Sequence, residues 1–382
     1  MKLGVDSSIL SLGHYHPRFR TGIYRVVANL AAELRSHEDV HFHSQFQFME
    51  TVPSFFPFAK QGFSVPLWRR VFDRGLMDIS RLLTGGVQKH VKRLSQNDAI
   101  LFPALLFDPK YLDSISIPTI LIVHDLIALK FPEWVTRGNR SSQEQWNRLA
   151  NTSLHFACVS ENTRRDLLKL TDITEERTFT CHLAPDPVFQ KQSFLKPEML
   201  HKYHLDPRKY FLSVGTMEIR KNLISTLRAF TAYVKESGDT QTKLALVGGS
   251  GWGNQEFTQE FTHSSVRHQV VWLGFIPDED LRTLYQEARA FLFLSHYEGF
   301  GLPVLEALAM GCPVISSNTS SLPEVGGNAV LYTHPTDIPQ ITEHLHDLSQ
   351  NAQLQDKLRT SGPLHVSQFS WGKCVTSILS HF

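Results

Sequence analysis

Short runs rich in β-branched and aromatic residues recur along the first half of the chain: LGVDSSIL, VHFHSQF, AILFPA, TILIVHD, HFACVS and TFTCHLA. Several are separated by segments in which apolar residues return at helical spacing. Between Gly22 and Leu34 these are Ile23, Val26, Val27, Leu30, Ala31 and Leu34. Such alternation predicts a parallel sheet flanked by helices. The pattern stops in the polar, proline-punctuated stretch 185–207, PDPVFQKQSFLKPEMLHKYHLDP, and restarts with YFLSVG, KLALVG, VVWLGF, AFLFLS and PVISS. Two doubly wound, Rossmann-like α/β domains with parallel sheets are expected, one over 1–188 and the other over 189–369. The terminal FSWGKCVTSILSHF reads as an amphipathic helix, and 370–382 is expected to cross back to the first domain.

Composition narrows the partners. The 38 Lys and Arg against 37 Asp and Glu leave a net charge of +1, so no polyanion is attracted globally and nucleic acid is not expected. The cysteines, Cys158, Cys181, Cys312 and Cys374, are unevenly spaced and mostly lie in apolar runs, which predicts buried structural thiols. The opening MKLGVDSSILSLGHYHPRFR turns polar after a short apolar run, and no later stretch approaches the ~20 apolar residues a bilayer span needs. A cytoplasmic protein is expected, with peripheral contact to the inner face of the cytoplasmic membrane left open.

Ligands of doubly wound sheets sit beyond the carboxyl ends of the strands, so candidate residues should follow strands. After YFLSVG comes TMEIRKNL, with 216–220 as a loop and Asn222 opening the next helix. Arg220 and Lys221 then stand beside a helix start, where free N–H groups already favour an anion. A solvated pair of surface cations is the bland alternative. After AFLFLS comes HYEGFGLPVLEALAMG. Gly299 and Gly301 allow close approach of a ligand, Pro303 suits a first helical turn, and the amides of Phe300, Gly301 and Leu302 would face a bound anion. Glu306, about one turn into the helix, can accept paired hydrogen bonds from a ribose, and Glu298 can reach a neighbouring polyol. DED at 278–280 reads as a helix N-terminus, GGSGWG as a turn, and HYH at 14–16 lacks partners for a metal.

The stretch EGFGLPVLEALAMGCPVISSNTSSLPEVGGNAVLY, with seven residues between Glu298 and Glu306, resembles the signature of the retaining glycosyltransferases of family 4, glycosyl transferases group 1. RTGIYRVVANLAAEL, VHDL, VSENTRRDLL, LSVGTMEIRKN, LVGGSGWG, VVWLGFIPDEDL and FSWGKC extend the resemblance over nearly everything outside 51–98. It implies the GT-B fold, two such domains facing across a cleft, and transfer of a sugar from a nucleotide-sugar donor with retention. It further implies that Arg220 and Lys221 neutralise the diphosphate without a metal ion or other cofactor, with front-face displacement rather than a covalent intermediate. Phe300, Gly301 and Leu302 would offer amides, Glu298 would hold donor hydroxyls, and Glu306 the ribose. His124 would lie near the donor sugar, Gly22 would approach the diphosphate, and Asp125 would orient His124 or the acceptor. Base contacts would come from the region of Gly274 and Phe275.

One departure stands out: many relatives carry an arginine after the glycine of SVG, and this chain has Thr216, a weaker phosphate partner. The expected donor is GDP-mannose or a UDP-sugar, and the acceptor a glycan or lipid-linked saccharide. A sugar-nucleotide epimerase or phosphorylase on the same fold, and a non-catalytic nucleotide-sugar-binding protein, are the other readings. In 51–98 the resemblance fails. There Phe55, Phe56, Phe58, Phe63 and Trp68 mix with Lys60, Arg69, Arg70, Arg74, Arg81, Lys89, Lys92 and Arg93, which fits either acceptor or anionic-membrane contact, or a helical cover on the first domain.

Overall fold

A computed structural model describes residues 1–15, 22–44, 86–106, 108–135, 142–190, 197–249 and 255–382. The chain forms two compact units, one comprising Met1–Leu129, Ser141–Leu183 and Trp371–Phe382, the other Lys130–Arg140 and Ala184–Ser370.

The first unit holds β1 (Leu3–Asp6), β2 (Val40–His43), β3 (Ala99–Phe102), β4 (Thr119–Val123), β5 (His155–Cys158) and β6 (Thr178–Thr180). Their spatial order is β2-β1-β3-β4-β5-β6, with every pair parallel. The second holds β7 (Tyr210–Val214), β8 (Lys243–Val247), β9 (Val270–Gly274), β10 (Ala290–Phe293), β11 (Val314–Ser317) and β12 (Leu331–Thr333). Its order is β12-β11-β10-β7-β8-β9, again all parallel. Every residue of β3, β4, β10 and β11 is buried, as expected where helices cover both faces of a parallel sheet. These are the two doubly wound sheets that the alternating pattern predicts.

In each sheet the strand order reverses once, between β1 and β3 and between β7 and β10. Such a reversal opens a crevice at the carboxyl ends, because the connections leave in opposite directions. The helix Trp371–Leu379 buries Trp371, Cys374, Val375 and Ile378 and packs on the helix Gly22–Leu34 of the first unit. All four cysteines are free and buried, and burial pushes the Cys158 and Cys312 thiols up to about 12, so neither is a thiolate at neutral pH.

Of the segment that departs from the family pattern, 51–85 lies outside the described residues, and with it the aromatic residues and most of the cations of the membrane-contact expectation. Its end forms the helix Gly86–Leu94, which buries His90, Val91 and Leu94 and leaves Lys89 and Lys92 in solvent. That part is a helical cover on the first sheet.

Candidate active site

The reversal between β7 and β10 organises the second unit. The loop after β7 ends at Asn222, whose left-handed backbone (φ 52°) turns the chain into the helix Leu223–Ser237. Asparagine is among the few side chains that tolerate this conformation. Its side-chain Nδ2 donates to the Leu294 carbonyl at 3.1 Å, just past β10, and to the Pro335 carbonyl at 2.6 Å, just past β12. The His296 amide donates to the Arg220 carbonyl at 2.8 Å. Three loops at one edge of the sheet are thereby stapled together.

Stapling brings the charged residues into contact. Glu298 Oε1 accepts from Lys221 Nζ at 2.6 Å, and Glu298 Oε2 from Arg220 Nη1 at 2.7 Å. Arg220 Nε donates in turn to Glu218 Oε2 at 2.8 Å. Glu298 is only 8% exposed, and Lys221 lies with its Nζ 4.6 Å from the centre of the Phe293 ring. Burial alone would raise the Glu298 carboxyl, but the Arg220 and Lys221 charges, with hydrogen bonds from Lys221 and Ser295, hold it down at about 2. Burial is the main influence on Lys221 and lowers its pKa, against the pull of Glu298. The carboxylate is ionised throughout the neutral range and is shared by the two cations, one to each oxygen.

The turn that follows is built on Gly301, at φ +128°, where an added Cβ would come within 2.8 Å of Leu322 Cδ2. Ser320 Oγ accepts from the Glu298 amide at 2.9 Å, and Ser321 Oγ donates to the Glu298 carbonyl at 3.0 Å and to the Phe300 carbonyl at 2.5 Å. Gly301 caps the helix Leu302–Ala309, in which Pro303 carries no amide and the Val304 amide donates to the Gly301 carbonyl at 2.9 Å. Phe300 is buried, its ring edge-on to Phe369. Glu306 is 3% exposed and accepts from Tyr285 Oη at 3.3 Å, which rules out a solvated helix face.

On the β8–β9 side of the same edge, Thr216 is exposed and Gly274 ends β9 at φ +67°. Phe275 follows it, 78% exposed. In the first unit, His124 follows β4 and its Nε2 donates to the Pro103 carbonyl at 2.7 Å, just past β3. Burial lowers its pKa, so with Nε2 carrying the proton the neutral ring presents Nδ1 as an acceptor. Asp125 Oδ1 accepts from the Ile127 amide at 3.0 Å and starts the short helix Ile127–Lys130, so the bond that orients His124 comes from a main-chain carbonyl. Gly22 opens the helix Gly22–Leu34, with none of the described atoms within 4 Å of where a Cβ would stand.

Arg220, Lys221 and Glu298 are thus assembled in one cluster in the second unit, and Glu306, Phe300, Gly301 and Leu302 lie on the turn and helix that continue from it. His124, Asp125 and Gly22 belong to the first unit. Glu218 escapes a reading of the sequence, since a glutamate two residues before an arginine is common on any surface. Asp6 does too: its Oδ1 accepts from the Ser8 amide at 3.0 Å, Ser8 Oγ at 2.6 Å and His90 Nε2 at 3.2 Å. It stands at the end of β1, at the reversal of the first sheet, and that position was the available signal.

Comparison with known proteins supports the same reading. Residues 197–365 match the family model for glycosyl transferases group 1. The chain is 32% identical over 262 residues to O-antigen chain mannosyltransferase B of Escherichia coli, covering 68% of each protein. It is 26% identical over 268 residues to the serotype-specific mannosyltransferase WbdA of Escherichia coli, covering 68% of this chain but 32% of that longer protein. Among solved structures, HepE from Anabaena in complex with UDP and glucose superposes with a TM-score of 0.67 at 16% identity, covering 100% of this chain and 98% of that one. At such identity the likeness speaks for the fold, which is GT-B. Two doubly wound sheets, a cation pair at the reversal of the second, and a relative matched at this identity and coverage lead to one conclusion: the chain belongs to the glycosyl transferases group 1 family and is a glycosyltransferase.

Proposed function

We propose that the chain is a retaining hexosyltransferase that moves a mannosyl unit from a nucleotide-diphosphate sugar, GDP-mannose before UDP-sugars, to a hydroxyl of a glycan or lipid-linked saccharide. The observation that carries this is the partly buried pair Arg220 and Lys221, held by Glu218 and Glu298 at the reversal of a doubly wound sheet. Departure of a nucleoside diphosphate is the costly event in such a transfer. Fixed cations aimed at the developing charge lower that barrier, so protein groups take the part that a divalent metal plays elsewhere. The amides at the start of the helix Leu302–Ala309 add partial positive charge at the same edge.

Glu298 fits binding rather than proton transfer. A carboxyl held at about 2 carries no proton to donate near neutrality and is a feeble base. The departing phosphate is the better proton acceptor for the attacking hydroxyl, which places attack and departure on one face of the sugar and retains the anomeric configuration. Glu306 takes the ribose hydroxyls, and the His124 ring, acceptor at Nδ1, takes a hydroxyl of the donor sugar. The mannose assignment draws support from the two mannosyltransferase relatives. A lipid-linked acceptor would bring the enzyme to the inner face of the cytoplasmic membrane, and among the described residues no helix is long and apolar enough to cross it.

The test is direct. Purified protein is incubated with GDP-mannose, UDP-glucose or UDP-N-acetylglucosamine, with and without synthetic mannosyl-lipid acceptors and with and without EDTA, and the product linkage is read by NMR. The expected product is an α-mannoside, formed from GDP-mannose and insensitive to EDTA. A β-linked product, or sugar isomerised or released at equal rate without acceptor, would overturn the proposal.

A further inference from the structure

We infer that Glu298 doubles as an internal anion that competes with the nucleoside diphosphate for Arg220 and Lys221, so that the site prefers the intact sugar donor to the spent nucleoside diphosphate. The inference rests on the reading of Arg220 and Lys221 as the diphosphate pair. Each Glu298 oxygen takes one cation, at 2.6 and 2.7 Å, the distances of strong charge-assisted hydrogen bonds. A diphosphate that engages both cations must take these donors over, and the carboxylate has to give way.

The surroundings fix what moves. The Glu298 amide is bonded to Ser320 Oγ and its carbonyl to Ser321 Oγ, so the main chain is held on both sides and the exchange is a rotation of the side chain. Arg220 does not follow it, because Glu218 grips Nε at 2.8 Å, on a different edge of the guanidinium from Nη1. Lys221 stays over the Phe293 ring. The cations are stationary and the carboxylate is the exchangeable part.

The discrimination follows from where the released carboxylate goes. At 8% exposure Glu298 cannot pass into solvent, and a buried carboxylate stripped of its cations is strongly disfavoured. The hydroxyls of the donor sugar supply new hydrogen bonds to it. A nucleoside diphosphate without its sugar supplies none. After transfer the hydroxyls leave with the product, Glu298 returns to Arg220 and Lys221, and the nucleoside diphosphate is displaced. One side chain thereby rewards the loaded donor and expels the spent one.

Calorimetric Kd values for GDP, UDP, GDP-mannose and UDP-glucose on the wild type, Glu298→Gln and Lys221→Ala test this. On the wild type the preferred sugar donor should bind more tightly than its own nucleoside diphosphate. Glu298→Gln, checked for folding by its melting temperature, should bind that nucleoside diphosphate about tenfold more tightly and the sugar donor more weakly, reversing the order. Lys221→Ala should weaken both ligands. A wild type that binds nucleoside diphosphate as tightly as donor overturns the inference without recourse to any variant, and so does a Glu298→Gln protein with unchanged nucleoside diphosphate affinity. If Lys221→Ala leaves both affinities unchanged, or the wild type binds none of the four, the reading of the cation pair itself falls.

Discussion

At the scale of single residues, the cluster of Glu218, Arg220, Lys221 and Glu298 sets how the enzyme responds to pH. Glu298 is held at about 2, below the ordinary glutamate value of 4.5. Its contribution to stability is therefore fully present above the unfolded pKa and is lost as pH falls through the folded one. The shift corresponds to on the order of 3 kcal/mol. Melting temperature should fall as pH is lowered from about 5 to about 2, and Glu298→Gln should flatten that slope; a variant that melts with the wild-type slope would show that the stabilisation lies elsewhere. Lys221 has its pKa lowered chiefly by burial, so its charge is lost at lower pH than that of a solvated lysine. Nucleotide affinity should decline on the alkaline side through this lowered pKa, and Lys221→Arg, which does not titrate there, should remove the decline in calorimetry. Glu218→Gln keeps a hydrogen bond to Arg220 Nε but loses the charge behind it. It should weaken nucleotide binding by about tenfold, less than Arg220→Ala, and equality of the two would deny Glu218 its holding role.

Elements explain why the cluster exists at all. Gly301 takes a backbone conformation that side chains avoid and faces Leu322 at 2.8 Å from a would-be Cβ, so Gly301→Ala should cost about 1–3 kcal/mol and tilt the helix Leu302–Ala309. A denaturation midpoint unchanged from wild type would refute that. Asn222→Ala removes two hydrogen bonds to buried carbonyls and should lower nucleotide affinity without Asn222 touching ligand. At this scale the sequence was informative where chemistry follows a strand. Arg220, Lys221, Glu298 and Glu306 were legible because strand, glycine turn and helix start are written contiguously around them. The staple by Asn222 was not, because its acceptors are main-chain atoms 72 and 113 residues away. Ser320 and Ser321 were equally hidden, since small hydroxyl residues after a strand mark any turn. The pairing of Glu298 with the cations could not be read either, because spacing along the chain reports on neither burial nor the distance between two loops.

For the whole molecule, the alternation of strands and helices carried the two-sheet architecture, while the placing of β7 beside β10 is seen only in the structure. The last residues, expected to cross back to the first domain, lie in the first unit, and what the sequence left open was their partner there, the helix Gly22–Leu34. Trp371, Cys374, Val375 and Ile378 read as an apolar helix face, but a face does not name its partner. Removing 371–382 would uncover that face's counterpart on the helix Gly22–Leu34. The truncated protein should melt several degrees lower and aggregate on heating, as followed by light scattering. Unchanged melting would mean that the contact adds nothing.

The strand order that places β7 against β10 has a kinetic side. Arg220 and Lys221 reach Glu298 across 78 and 77 residues of chain, so a large loop must close before opposite charges can meet. On the ribosome β7, β8 and β9 emerge and can pair well before Glu298 is made, leaving Arg220 with Glu218 alone and Lys221 without the carboxylate it later meets. Recognition of nucleotide is consequently among the last properties this chain acquires as it folds, and recovery of nucleotide binding after dilution from denaturant should lag behind recovery of helical signal.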